Sequence, residues 1–171
     1  MAFRNDQIIN LVDPGSQGTT FRAYMFPYEG MVAGACIDSP PQFLERPSSV
    51  ICAGNEVSLY QNAYDKDGDS LVYKWGKPLH WIEDWETFDP PNIPRELSFE
   101  EFYSYENPLP GKEIDSRNEP AELNPINGRI TFNSFTTGSF AATIEVESWK
   151  SGQLVSKIYR ELQIVIFECE P

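Results

Sequence analysis

The chain of 171 residues has one histidine, His80, and only three cysteines, Cys36, Cys52 and Cys169. The cysteines form no C-x-x-C pair, and one histidine adds too few ligands for a structural zinc site. Nucleophilic catalysis is limited in the same way, because any Ser-His-Asp or Cys-His arrangement would have to use His80. No GxSxG, HExxH or glycine-rich phosphate loop is present. We therefore expect no enzymatic activity.

Basic residues are also scarce, with 13 Lys and Arg against 26 Asp and Glu and a formal net charge of −13. Nucleic acid is not an expected partner, because phosphate binding requires basic patches. No run of about eighteen apolar residues occurs, so membrane insertion is not expected. The opening residues MAFRNDQIIN lack a basic region followed by a long apolar run, so no signal peptide is visible.

Helical periodicity is weak, whereas strand signals are strong. The best helical candidate covers one or two turns at 98–105, where Ser98 is a candidate cap and Glu101 follows three residues later. The stretch SFAATIEVESW alternates apolar and polar residues, and the Ser151-Gly152 pair after it predicts a hairpin turn. Strands are predicted at 7–12, 19–26, 50–60, 70–76, 129–133, 139–149 and 154–168. Turn-punctuated strands without intervening helices predict an all-β, immunoglobulin-like antiparallel sandwich.

A long segment at about 78–125 departs from this pattern. It is rich in proline and aromatic residues, and residues 80–122 contain twelve acidic and three basic side chains. Connections of this length are usually functional or disordered. Burying so many aromatic rings is favourable, so we expect an ordered insertion that packs over one end or face of the sandwich. The alternative is a stacking platform for sugar rings, made by Trp81, Trp85, Phe88, Tyr103 and Tyr105.

The stretch AYDKDGDSLVYKW places Asp65, Asp67 and Asp69 on alternate positions around Gly68. Calcium takes about six to eight oxygen ligands, several of them carboxylates, on a tightly turning backbone. The spacing is not that of an EF-hand, because the sixth and twelfth positions hold serine and glycine instead of glycine and glutamate. Two hypotheses remain: a calcium site, or a turn in which the aspartates accept hydrogen bonds from backbone N–H groups.

This motif is followed by NPINGRITF and TGSFAATIEVESWKSGQLVSKIYRELQIVIFEC. In this order the three stretches resemble cadherin-like or PKD-like β-sandwich domains of large secreted Bacteroidota surface proteins, which are associated with gliding motility, adhesion and type IX secretion. The upstream RNDQIINLVDPGSQGTTFRAYM resembles the segment that precedes that domain, although Phe3 stands where a cysteine is usual. The likeness covers nearly the whole chain except about 80–122.

The resemblance implies a non-catalytic structural or adhesion module of a larger extracellular or cell-surface protein. Residues 1–40 would be strands or a junction from an upstream module, and 41–171 the sandwich, with its insertion at about 78–125. The expected partners are neighbouring domains of the same polypeptide and a surface protein or polysaccharide. The alternative function is a carbohydrate-binding module that uses the aromatic insertion.

The resemblance also implies a ligand set and a disulfide. Calcium would be bound by Asp65, Asp67 and Asp69. Glu147 is a candidate fourth carboxylate, or simply a solvated strand residue. In an extracellular protein, Cys52 and Cys169 are candidates for a bridge between the first and last strands of the sandwich, and Cys36 with Cys169 is the alternative pairing.

Overall fold

A computed structural model describes residues 8–12, 22–28, 38–46, 50–80 and 95–169. The predictions on Cys36, Trp81, Trp85 and Phe88 therefore lie outside the described residues. Within these ranges the chain forms ten strands and no helix. The strands are β1 Tyr24–Met25, β2 Gln42–Phe43, β3 Val50–Cys52, β4 Glu56–Leu59, β5 Ala63–Tyr64, β6 Ser70–Gly76, β7 Glu119–Leu123, β8 Ile130–Asn133, β9 Gly138–Lys150 and β10 Gln153–Phe167.

The long hairpin of β9 and β10 is the centre of the larger sheet. The strands of this sheet follow the order β1-β10-β9-β6. β3 also pairs with β10, and the two strands are parallel. The strands β4-β8-β7 form a smaller antiparallel sheet, and β2 pairs with β5. The hairpin turns at Ser151 and Gly152, whose φ angles of 49° and 81° are those of a two-residue turn with both positions left-handed.

The two larger sheets share one hydrophobic core. Alternate residues of β9 and β10 point inward, among them the fully buried Phe140, Ile144 and Ile164. They pack in the same cluster as Ile130 and Phe132 of β8 in the smaller sheet. Each such side chain contributes about 1.5–3 kcal/mol by leaving water. The all-β prediction is confirmed, and the shared core is that of two packed sheets.

The helix predicted at 98–105 is wrong. The segment makes one turn, in which Tyr103 N–H donates to the Glu100 carbonyl over 3.1 Å. Phe102 then has a φ of 72°, a left-handed conformation that cannot continue a right-handed helix. Instead of a helix, Phe99 forms a β-bridge with Leu11.

Residues 8–12 and 95–100 pack together on the outer face of β9. Leu11 and Leu97 form a small apolar cluster with Ala141. Beside it, the buried Asn10 amide accepts from Ala141 N–H (2.9 Å) and donates to the Ala141 carbonyl (2.7 Å), so one side chain extends the ladder of hydrogen bonds. The Asn10 amide also donates to the Pro108 carbonyl over 2.7 Å. The predicted packing of the long segment over one face is confirmed for residues 95–100.

A disulfide joins Cys52, at the end of β3, to Cys169, just beyond β10. Their Cα atoms are 5.4 Å apart, and the sequence separation is 117 residues. The predicted bridge is confirmed, and the alternative pairing of Cys36 with Cys169 is wrong because Cys169 is already bonded. In the described part of the chain, no helix has the length and apolarity needed to cross a membrane.

Candidate functional site at the acidic end of the sandwich

Asp65 shapes the turn between β5 and β6. Its Oδ1 accepts the backbone N–H groups of Asp67 (2.9 Å) and Asp69 (3.2 Å). Gly68 has a φ of 79°, and no heavy atom lies within 4 Å of where its Cβ would stand. A short carboxylate that binds the N–H groups two and four residues later is the usual chemistry of an Asp-initiated turn. The turn-capping hypothesis therefore describes Asp65.

The second oxygen of Asp65 connects the turn to the central hairpin. Its Oδ2 accepts the Ser148 hydroxyl over 2.9 Å, and both residues are buried. Both carboxylate oxygens of Asp65 thus bind groups of the protein itself. The bond spans 83 residues of sequence, so it holds the loop against β9 instead of supporting only local structure.

Asp67 connects the same turn to the segment before β2. Its Oδ2 accepts the backbone N–H of Ser39 over 2.6 Å, although the Asp67 residue itself is exposed. This hydrogen bond is the main cause of a lowered pKa at Asp67. Asp67 therefore acts as an acceptor for a neighbouring loop.

The Lys150 ammonium lies between two aspartates at this end of the sandwich. Its Nζ is 2.7 Å from Asp38 Oδ1 and 3.5 Å from Asp69 Oδ2, and those side chains are only 1% and 7% exposed. The Nζ also lies 5.3 Å from the centre of the Tyr28 ring. The hydrogen bond to Asp38 is the first cause of a raised pKa at Lys150. Lys150 thus supplies a positive charge where aspartates of two segments converge, Asp38 before β2 and Asp69 in the turn between β5 and β6.

Asp69 experiences opposing influences. Burial raises the pKa of its carboxyl, Lys150 lowers it, and the nearby Asp38 and Asp65 raise it again. The net result is a raised pKa. Burial is the largest of these causes, and the charge of Lys150 opposes it without reversing the direction of the shift.

Glu147 lies on the opposite side of β9. Neighbouring strand residues point to opposite faces, so Glu147 faces away from Ser148 and hence from Asp65. Its carboxylate accepts from Lys74 (2.7 Å) and Trp149 Nε1 (3.0 Å) and lies 2.9 Å from the Lys157 ammonium. Burial raises the pKa of Glu147, but these three donors outweigh burial and lower it to about 2. Glu147 is a buried, paired residue, and it is not solvated.

The four predicted ligands, as placed, do not fit one shared calcium site. Glu147 is on the other face, and both carboxylate oxygens of Asp65 already accept hydrogen bonds from protein donors. Lys150 stands beside Asp69, where a cation would otherwise be held. Among the described ranges, no three His, Cys, Asp or Glu side chains are arranged to hold a metal ion. Calcium binding by this chain stays a prediction.

Sequence reasoning found the aspartate turn but missed its partners. Asp38, Ser148 and Lys150 are 27 or more residues from Asp65, and no local pattern singles them out. The one available signal was the hairpin turn at Ser151-Gly152. It fixes Lys150 at the end of β9, opposite Gln153 and two residues from Ser148.

The described members of the predicted aromatic platform separate. Tyr103 packs against the core, with its ring centre 6.1 Å from that of Phe140, and burial raises its pKa. Tyr105 remains half-buried at the surface, with the Lys77 ammonium 5.3 Å from its ring centre. Of these two rings, only Tyr105 is placed to meet a ligand.

The comparisons with known proteins found no similarity: no protein family, curated protein or solved structure matches this chain. The likeness to cadherin-like and PKD-like domains therefore stays a prediction from the sequence motifs.

Proposed function

We propose that the chain is a non-catalytic structural module of a larger extracellular or cell-surface protein, with an immunoglobulin-like, cadherin-like sandwich. The observation that carries this proposal is the disulfide between Cys52 and Cys169. Disulfides persist in oxidising compartments and are rare in the reducing cytosol. On a chain-entropy basis, closing a loop of this length contributes about 4–5 kcal/mol to stability.

A second line of support is that the buried polar groups of the site bind one another. Asp65, Asp69 and Glu147 each bind a hydroxyl, a backbone N–H or a lysine that connects separate strands. Catalytic groups are usually arranged to meet a substrate in a cleft, whereas these connect β5, β6, β9 and β10. Such cross-connections suit a module that spaces its neighbouring domains or presents an adhesive surface to a protein or polysaccharide.

In this proposal, Lys150 supplies the positive charge that the resemblance assigns to calcium. A built-in ammonium makes the stiffness of the acidic end independent of the metal concentration outside the cell. The competing hypothesis is the calcium-stabilised turn of the sequence prediction, in which Asp67 and Asp69 would turn towards an ion. The first hypothesis predicts that thermal stability does not respond to calcium or EDTA, and the second predicts that it rises in calcium and falls in EDTA.

The experiment that tests the extracellular assignment is disulfide mapping on protein isolated from the cells that produce it. Free thiols are blocked before lysis, and the digest is analysed by mass spectrometry without reduction. We expect the peptide with Cys52 to be linked to the peptide with Cys169. Recovery of both as blocked thiols would contradict the proposal. Protease treatment of intact cells provides the second readout, because an extracellular module is cleaved without lysis.

A further inference from the structure

A groove crosses the outer face of the larger sheet at the end of β6. Its volume is about 240 Å³, and strands β1, β6, β9 and β10 contribute to it together with the segments that follow β6 and precede β7. Four of its lining residues are aromatic: Tyr24, Trp75, Tyr105 and Tyr159. Ligand sites for drug-sized molecules have volumes of roughly 300–1,000 Å³, so this groove suits a ligand of about one ring.

The aromatic walls are held in fixed positions. The Tyr24 and Tyr159 rings meet edge to face, with centres 6.2 Å apart and planes at 68°. Trp75 pairs with the inward-facing Ile144, so its ring packs against the hydrophobic core, and the aromatic rings available to a ligand are those of Tyr24, Tyr105 and Tyr159. On the outer face, Gly76 leaves space that a side chain would narrow, since a Cβ there would lie 3.5 Å from the Tyr159 ring and 3.0 Å from Thr143.

The charges at the groove are paired. Lys77 donates to both carboxylate oxygens of Glu96, over 3.0 and 3.1 Å. On the sheet, Glu145 binds the Lys157 ammonium over 2.8 Å. Burial, then a hydrogen bond to Glu145, raises the pKa of Tyr159. Since opposite charges cancel, the groove favours neither a free anion nor a free cation. Carboxylate oxygens still have lone pairs for further hydrogen bonds.

We infer that this groove binds one neutral sugar ring of a polysaccharide. The apolar C–H face of such a ring packs on the tyrosine rings, which combine a flat apolar surface with a polar group at one end. Its hydroxyl groups donate to Glu96 and Glu145 and accept from Lys77. A neutral sugar ring can therefore pack on the aromatic residues of the groove and form hydrogen bonds with its paired charged residues. The inference goes beyond the structural role proposed above and does not depend on it.

The rival ligand is a protonated amine, because aromatic rings with a nearby carboxylate also bind cations. In this groove the carboxylates of Glu96 and Glu145 are already bound to ammonium groups of the protein. A cationic ligand would have to displace Lys77 or Lys157. The charge pairing therefore favours the neutral sugar.

The test is saturation-transfer difference NMR on the whole chain with methyl glycosides of glucose, galactose, mannose and N-acetylglucosamine, and with tetramethylammonium as the cation probe. We expect transfer to the ring protons of at least one glycoside. Tyr105→Ala should weaken its affinity between about twofold and tenfold, the range for lost ring packing. Tyr105→Trp should restore it. The matched control is Tyr64→Ala, which removes a tyrosine that is 52% exposed and does not line the groove.

Three results would overturn the inference. The first is no transfer to any of the four glycosides. The second is an equal loss of affinity in Tyr64→Ala and Tyr105→Ala, which indicates non-specific surface contact. The third is binding of tetramethylammonium alone, which makes the groove a cation cage. If Tyr105→Ala does not fold, Glu96→Gln replaces it, since that side chain is 56% exposed and the change replaces one of its two acceptor oxygens with an N–H donor.

Discussion

At the scale of single residues, the buried charges of this protein are compensated by side chains from distant parts of the sequence. Lys150 lies between Asp38 and Asp69, and Glu147 between Lys74 and Lys157. Removing one partner of a buried pair leaves an uncompensated charge, which destabilises more than the pair itself stabilises. The lysines at these two places are therefore expected to be more sensitive than other surface lysines.

Glu147 makes stability depend on pH in the acidic range. Its pKa falls from an ordinary value of 4.5 to about 2 on folding. A lowered folded-state pKa gives stability that is full above the unfolded value and is lost as pH falls through the folded value. We expect Glu147→Gln to lose up to about 3 kcal/mol of unfolding free energy at neutral pH. The difference from wild type should shrink between about pH 4.5 and 2.

Urea unfolding at a series of pH values measures this difference. The control is Glu56→Gln, which makes the same charge change at an exposed position on β4. A gap between wild type and Glu147→Gln that stays constant down to the lowest pH would contradict the assigned linkage.

The buried side chain of Asn10 forms hydrogen bonds with three backbone groups. Its amide binds Ala141 N–H, the Ala141 carbonyl and the Pro108 carbonyl, all in the interior. Asn10→Ala leaves these groups without hydrogen-bond partners. Each buried group that water does not reach then lowers the free energy of unfolding by about 1–3 kcal/mol. We expect a lower midpoint in thermal unfolding and faster amide exchange at Ala141. Unchanged exchange there would show that Asn10 does not hold this edge of β9.

At the scale of elements, the turn between β7 and β8 depends on a glycine for space as well as conformation. Gly128 has a φ of 67°, and a Cβ there would lie 2.6 Å from the Tyr73 ring. Tyr73 is buried in the core, and its hydroxyl accepts from Ala63 N–H over 3.2 Å. The ring therefore has little room to move away.

Two alanine substitutions separate conformation from space. Gly68→Ala introduces the same left-handed strain, about 1–2 kcal/mol, with no heavy atom within 4 Å of the new Cβ. Gly128→Ala adds overpacking, typically about 1–3 kcal/mol more. The free energy of unfolding, measured with a chemical denaturant, should thus be highest for wild type, lower for Gly68→Ala and lowest for Gly128→Ala. Equal losses would mean that the Tyr73 ring accommodates the methyl group.

Elements with a clear alternating pattern were predictable. β6 spans the predicted 70–76, and β9 and β10 lie within one residue of 139–149 and 154–168 at each end. β2 and β5 were missed because two-residue strands carry no periodicity, and β7 because its EPAEL sequence is polar and contains proline. The helix at 98–105 was wrong because the pairing of Phe99 with Leu11 overrides a weak local signal.

The sequence predicted the acidic turn of the site but not the distant residues that bind it. Alternate aspartates around Gly68 indicate a tight acidic turn, and the turn is present. Which charge compensates that turn depends on sheet register and on loops that meet in space. Neither Lys150 nor Asp38 could be assigned to the turn from its own sequence. Glu147 faces away from the turn for the same reason, because its orientation follows from its position on β9.

At the scale of the whole molecule, the disulfide closes the sandwich by joining β3 to the end of the central hairpin. Replacing both cysteines, Cys52→Ser with Cys169→Ser, should lower the free energy of unfolding by about 2–5 kcal/mol. Denaturant unfolding of the double variant measures the loss, and wild type treated with reductant is the matched comparison. Stability equal to that of oxidised wild type would show that the bridge is not structural.

The central claim is that the acidic end is stabilised from within by Lys150, and thermal unfolding with calcium or EDTA tests it most directly. The proteins to compare are wild type, Lys150→Met and Asp67→Ala. A ligand that binds only the folded state raises the midpoint by mass action. We expect the wild-type midpoint to respond to neither reagent. Lys150→Met should unfold at a lower temperature, because Asp38 and Asp69 then lack their cation. Calcium should restore part of that lost stability. A wild-type midpoint that rises in calcium, falls in EDTA and becomes insensitive in Asp67→Ala would contradict the claim and establish the aspartate turn as a metal site.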